Sequence, residues 1–166
     1  MAAVTVPQLI EEHYESLYRY AYRLSGSASD ADDLTQQTFG KVLTRLDQLR
    51  EVEKARGWLF RILRNEYLHA KRDEKQGKAI PLESIGELPG REEHLPPDID
   101  PANLQDALNA LDEAFRTPLI LYYFDDLSYR DIAEQLDVPI GTVMSRLARG
   151  KKYLKDPLTR SDGSTA

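Results

Sequence analysis

The sequence predicts an all-α protein: two small helical bundles, residues 1–75 and 102–157, joined by a flexible acidic linker over 76–101 and followed by a disordered tail, 158–166. Three observations lead there. Apolar residues recur at three-to-four spacing along most of both halves, the period of a helix with one buried face. The stretch between them carries Pro81, Pro89, Pro96, Pro97 and Pro101 with Gly77, Gly86 and Gly90 among many acids, a composition too polar and too interrupted for a packed element. No run shows the two-residue period of a strand, and no internal repeat is visible.

Ile10, Tyr14, Leu17, Tyr18, Ala21 and Leu24 mark a first amphipathic helix over 9–24, ended by Ser25-Gly26-Ser27. A second begins near Ser29, where Asp30, Asp32 and Asp33 complement the positive end of the helix dipole, and continues through Leu34, Phe39, Val42, Leu43 and Leu46. Residues 48–56 read as a polar loop. The third helix, 55–73, has Leu59, Ile62 and Leu63 on one side. Phe60, Arg64, Tyr67 and Lys71 recur on another, flanked by Arg61, Asn65 and Arg72. Aromatics interleaved with bases suit single-stranded nucleic acid, which needs stacking surfaces and backbone neutralisation. The same spacing also fits Trp58, Phe60 and Tyr67 as core residues covered by arginine stems.

Asp100-Pro101 is an N-cap followed by proline at the first helical position, opening a helix marked by Leu104, Leu108, Leu111 and Phe115. Thr117-Pro118 repeats that signal ahead of 119–124. Residues 127–154 then hold two helical patterns separated by a very short break. Ser128 and Asp131 form a capping-box-like start, and Ile132, Ala133 and Leu136 make the apolar stripe. Asp137 tolerates a left-handed turn, Val138 and Pro139 carry the chain round, and a second helix starts near Ile140 or Gly141. Val143, Leu147, Gly150 and Leu154 share its apolar face; Thr142, Ser145, Arg146, Arg149 and Lys152 share another.

Two short helices, a tight turn and a small residue, Ala133, at their crossing amount to a helix-turn-helix. Its second helix has basic residues but no acid from Ile140 to Lys155, which suits the DNA major groove. Spacing alone also fits a solvated basic face on an ordinary helical hairpin. Pro157 stops the last helix.

The absence of cysteine excludes disulfides, thiolate metal sites and cysteine nucleophiles. His13, His69 and His94 lack metal-ligand spacing and are expected at the surface. No apolar run approaches membrane-spanning length and no signal-peptide pattern opens the chain, so a cytoplasmic protein without membrane insertion is expected. No catalytic constellation or phosphate-cradling glycine loop appears, so neither enzyme activity nor a cofactor is expected. The formal net charge of −6 is unusual for a DNA binder, but charge is segregated: acids cluster in 11–15, 30–33 and 83–100, bases in 54–75 and 146–155. Weak DNA affinity of the isolated chain follows.

Taken in order, DADDLTQQTF (30–39), GWLFRILRNEYLHAKR (57–72) and LSYRDIAEQLDVPIGTVMSRLARGKKYL (127–154) resemble regions 2.2, 2.3–2.4 and 4.2 of bacterial RNA polymerase sigma factors of the sigma-70 family. The similarity is to the small, two-domain, extracytoplasmic-function group. It implies promoter recognition and DNA opening as a dissociable subunit of core RNA polymerase. In such relatives the second helix docks on the clamp coiled coil of the β′ subunit, which points here to Asp33, Leu34, Gln36, Gln37 and Phe39. Gln37 replaces a commonly acidic residue, so a charge contact becomes a neutral hydrogen bond.

The resemblance also implies that residues 48–56 capture a flipped −10 base, at an unstacking cost of a few kcal/mol. Leu49, Asn65 and the Trp58 region are the candidates for that base, with Arg61 and Arg64 on the backbone. Thr142, Ser145, Arg146, Arg149 and Lys152 match the positions that read the −35 element. Met144 stands where many relatives have lysine or arginine, which puts a phosphate or base contact there in question. Leu119, Tyr122 and Tyr123 match a surface that meets the β flap, or are core. Relatives are commonly held inactive by an anti-sigma factor. The alternative is a stand-alone helix-turn-helix regulator that binds duplex DNA without polymerase, which leaves residues 30–72 unexplained.

Overall fold

The computed structural model describes residues 4–76 and 103–155, and among these residues there are seven α-helices and no strand. The chain divides into two compact units, Met1–Leu88 and Pro89–Ala166. The expected linker beyond Gln76, the expected Asp100-Pro101 start signal, and the expected stop and tail after Lys155 lie outside the described residues.

In the first unit, α1 (Val6–Ser25) starts before its apolar stripe does. The Gln8 N–H donates to Thr5 Oγ1 at 3.3 Å, and the Thr5 N–H donates to Gln8 Oε1 at 2.8 Å. This reciprocal capping box, with Pro7 in the first turn where no N–H is needed, fixes the start. Gly26, at φ 74, ends the helix and donates its N–H to the Tyr22 carbonyl at 2.7 Å. Ser27 then caps α2 (Ala28–Arg45) by accepting from the Asp30 N–H at 3.2 Å. The expected loop is two 3-10 turns, Leu46–Gln48 and Val52–Lys54, and α3 (Ala55–Gln76) runs past its expected end at Asp73.

The three helices pack on one another pairwise. Leu9, Leu17 and Leu24 of α1, Val42 of α2, and Leu59 and Leu63 of α3 are fully enclosed. Between α1 and α3 the rings of Tyr20 and Phe60 stack with centroids 4.7 Å apart and 13° between planes. Two threonines sit in this core. Each donates its hydroxyl to a carbonyl of its own helix at 2.7 Å, Thr35 to Ala31 and Thr38 to Leu34, so neither is left unsatisfied. Lys41 and Glu66, 3.5 Å apart, join α2 to α3 at the rim.

His13 departs from the surface position expected of it: its side chain is only 12% exposed. Burial holds its imidazole below the ordinary value; Glu12 opposes this and Arg56 adds to it. The unfolded chain therefore takes up this proton first as pH falls. The contribution of neutral His13 to stability is complete above 6.5 and is lost as pH drops from there toward the folded value. The melting temperature of the first unit should fall on going from about pH 7.5 to about pH 5.5, and His13→Asn should flatten that slope. An unchanged slope in the variant would assign the acid sensitivity to other groups. His69 is exposed, as expected, and His94 lies outside the described residues.

In the second unit, α4 (Leu104–Ala110) ends at Leu111, whose N–H donates to the Leu108 carbonyl at 3.1 Å. Next comes α5 (Glu113–Tyr123), capped by the Asp112 carboxylate, which accepts from the Glu113 N–H at 3.0 Å. This corrects two expectations: the Leu104 helix does not reach Phe115, and Thr117-Pro118 starts nothing. The Thr117 hydroxyl donates to Glu113 within the helix, and Pro118 lies inside it. An interior proline costs about 3 kcal/mol. Here five consecutive residues, 117–121, are buried, and that apolar burial outweighs it. The last helices, α6 (Tyr129–Leu136) and α7 (Ile140–Lys155), pack on each other, and α7 also packs along α5.

Candidate nucleic-acid interfaces

The turn between α6 and α7 has a defined backbone cause. Ser128 Oγ accepts from the Asp131 N–H at 3.1 Å and starts α6. Asp137 ends it in the left-handed region, at φ 56 and ψ 50. The Val138 N–H donates to the Ala133 carbonyl at 3.0 Å and the Asp137 N–H to the Glu134 carbonyl at 3.3 Å, the two bonds of a Schellman motif. Pro139 then supplies the first carbonyl of α7, accepting from Thr142 and Val143 at 3.0 and 3.2 Å. Three residues reverse the chain, and the helix-turn-helix is formed as the sequence predicts.

On α7, Val143, Leu147, Gly150 and Leu154 face the core, all four as expected. A Cβ built on Gly150 would lie 2.9 Å from Leu119 Cδ1 and 3.2 Å from its Cγ, so glycine sets how closely α7 approaches α5. The opposite side divides. Ser145, Arg149 and Lys152 are exposed and follow at helical spacing along one stripe, whereas Thr142 and Arg146 are half-buried along one edge. On the other edge two apolar residues are exposed, Ile140 and Met144, the latter already singled out in the sequence as a departure from the basic residue of many relatives. Leu119 is core, and Tyr122 and Tyr123 are half-buried. Tyr122 is hydrogen-bonded to Tyr129 with ring centroids 5.2 Å apart, which ties the end of α5 to the start of α6. That bond, then the Tyr129 charge and burial, raises the Tyr122 phenol, with Lys151 opposing.

In the first unit, Trp58, Arg61 and Asn65 fall on one stripe of α3, with Arg64 beside it; Arg61 and Asn65 are exposed, Trp58 and Arg64 half-buried. Phe60 and Tyr67 do not join them. They are 0% and 4% exposed, so no base can stack on them, and the reading of these two as a single-strand platform is corrected. Cations lie over these rings instead: the Arg56 guanidinium carbon is 5.2 Å from the Phe60 centroid and Lys71 Nζ is 5.6 Å from that of Tyr67. Leu49, between the two 3-10 turns, is half-buried, with its N–H donating to the Leu46 carbonyl at 3.1 Å. Beside it Val52, missed in the sequence, is 49% exposed.

The outer face of α2 presents Asp33, Gln36 and Gln37, but Leu34 and Phe39 are buried. Those two candidates are therefore corrected to core residues that orient the helix. The exposed stripe continues instead through Gly40, where an added Cβ would meet nothing within 4 Å, and Leu43, which is 68% exposed and was expected among the apolar core positions. At its edge the Asp32 carboxylate accepts from Gln36 at 3.1 Å and from the Tyr14 hydroxyl at 3.4 Å. Burial, then the charge and hydrogen bond of Asp32 and the charge of Tyr18, raise that phenol.

Among the described residues no group of histidines, aspartates and glutamates is placed to hold a metal ion, and no helix is long and apolar enough to cross a membrane. The family description Sigma-70 region 2 matches residues 9–77, and Sigma-70 region 4 matches 102–154. The chain is 37% identical to the ECF RNA polymerase sigma factor SigE of Mycolicibacterium smegmatis over 96% of its own length, but it spans only 63% of that protein. It is 31% identical to the RNA polymerase sigma factor SigV of Bacillus subtilis, covering 92% of this chain and 90% of SigV. Among solved structures, the sigma factor RpoE from Bartonella quintana, in complex with the anti-sigma factor NepR, superposes with a TM-score of 0.75 at 29% identity, over 90% of this chain and 93% of that one.

Proposed function

The chain belongs to the sigma-70 family, in its extracytoplasmic-function group, and from that premise we propose a division of labour between its two units. It is a promoter-directing sigma factor, and its partners are core RNA polymerase and promoter DNA. The second unit reads the −35 element through Ser145, Arg149 and Lys152, with Thr142 and Arg146 on flanking phosphates. The first unit takes the −10 element, with Asn65, Trp58 and Leu49 at the base and Arg61 and Arg64 on the strand. The α2 stripe of Asp33, Gln36 and Gln37 docks on the β′ clamp coiled coil, extended by Gly40 and Leu43. The end of α5 meets the β flap. Residues 76–101 act as the linker, and an anti-sigma factor covers both units. The chain works in the cytoplasm and catalyses nothing itself.

One observation carries this reading: an exposed cationic stripe, free of carboxylates, lies on the second helix of a helix-turn-helix in a chain of net charge −6. Such a stripe directs the molecule on DNA, but the chain as a whole is too acidic to hold duplex by counterion release alone. Stable binding then needs core enzyme.

The test is promoter binding and permanganate reactivity of the variants with core enzyme, on duplex and pre-melted templates. Arg149→Ala should cost about 1–3 kcal/mol of closed-complex binding in a manner dependent on the −35 sequence; Arg146→Ala, on phosphate, should cost less and uniformly. Asn65→Ala and Leu49→Ala should leave −35 binding intact and impair opening, and a bubble should restore opening without restoring base selection. Loss of −35 affinity in the Asn65 variant with normal opening would end this assignment. Tight promoter-specific binding by the chain without polymerase would favour a stand-alone regulator.

A further inference from the structure

Building on the −35 reading above, we propose that Met144 selects a base in the upstream promoter element by van der Waals contact with the C5-methyl group of a thymine. Met144 is 51% exposed, and Ile140, one turn earlier, is 42% exposed. Both lie in the N-terminal part of α7, the end of a recognition helix that reaches base edges. A Cβ placed on Gly141, which follows Ile140, meets nothing within 4 Å, so the helix surface is open at that position as well. Neither belongs to the buried face of α7, which is Val143, Leu147, Gly150 and Leu154.

Large apolar side chains held in water gain free energy once an apolar group covers them. What covers these is set by their neighbours: Arg146, Arg149, Lys151 and Lys152 share the helix, and no carboxylate does, so the matching surface is a polyanion. In the major groove the apolar feature of that polyanion is the thymine methyl. A methionine has no donor for a guanine or a phosphate, but its unbranched, polarisable chain adapts to a methyl. The position therefore favours an A·T pair with its methyl turned toward α7.

The test uses holoenzyme assembled from the full chain and core polymerase, on a promoter selected from a randomised library. Each thymine of the upstream element, on both strands, is replaced singly by deoxyuridine, which removes one methyl and keeps every hydrogen-bonding group. One or two replacements should weaken closed-complex binding by about three- to fivefold. Met144→Ala, at a position outside the buried face of α7, should keep a melting temperature close to that of the wild type and should bind thymine and deoxyuridine templates equally. Library reselection with Met144→Lys should move the preferred base at that position away from thymine. A methyl effect undiminished in Met144→Ala overturns the proposal. So does methyl indifference of the wild type with retained dependence on upstream sequence, which assigns the patch to a protein contact. Failure of the −35 reading itself looks different: wild-type binding would then ignore the upstream sequence altogether.

Discussion

Gly150→Leu should unfold the second bundle and abolish −35 binding with it. At this position α5 side chains lie so close to α7 that even a Cβ would be 2.9 Å from Leu119 Cδ1, 3.2 Å from its Cγ and 3.4 Å from Phe115 Cβ. Leu119 is 1% exposed, enclosed within the unit. A leucine must push the helices apart along the contact that holds the recognition helix. Overpacking of this kind costs roughly 3 kcal/mol or more, a large share of the 5–15 kcal/mol available to a small domain. Gly150→Ala sets two effects against each other: about 1 kcal/mol of helix propensity is gained, while Leu119 is displaced. The displacement should win in the wild type, because both atoms met belong to an enclosed side chain. In a Leu119→Ala background those atoms are gone, and the same alanine should be neutral or stabilising. Thermal melts of the four members of this cycle measure the coupling directly. Additive effects would show that the close approach does not constrain the fold.

Phe60→Ala should be the most damaging single truncation in the first bundle, at about 3–5 kcal/mol. Its ring is fully buried, stacked on Tyr20 at 4.7 Å and covered by Arg56 at 5.2 Å. Removing it leaves a cavity between α1 and α3 that neither helix can close without moving the other. Trp58→Ala is the contrasting case. That side chain is half-buried on the stripe shared with Arg61 and Asn65, so its truncation should cost less stability and more −10 recognition. Urea melts and opening assays on both variants separate the two roles. If Phe60→Ala kept its midpoint and lost only binding to single-stranded DNA, the ring would be a stacking surface and its placement in the core would be wrong.

These two aromatics show where periodicity stops being informative. Phe60 and Trp58 are two residues apart in one helix, both within three residues of Arg61, and the sequence supports core or surface for each. Only the position of α1 decides, because Tyr20 arrives on the Phe60 side. The same holds on α2: Leu34, Phe39, Val42 and Leu43 form one apolar series, yet Leu43 is 68% exposed while Val42 is fully buried. An apolar residue next to the core stripe carries no mark of which side its neighbour helices take. For that reason the sequence did not show that Leu34 and Phe39 are buried and that Leu43, named in the same apolar series, faces outward.

Local chemistry was far more legible. The Ser128 cap and the left-handed Asp137 depend on residues within a turn of each other, so their residue types alone determine them. The Thr5–Gln8 box is equally local, a T-x-x-Q pattern ahead of the apolar stripe. Thr117-Pro118 marks the boundary between the two regimes. By local rules it starts a helix; in the structure Asp112 starts it, and the buried run 117–121 carries proline through the interior. The sequence by itself determined the all-helical class, the Ser128 cap, the turn at Asp137 and the basic character of α7, because those follow from bonds and charges close along the chain. The tertiary structure alone decided which apolar and aromatic side chains are core and which face outward, because burial depends on helices brought together from distant parts of the chain, and a residue's own neighbours do not encode it.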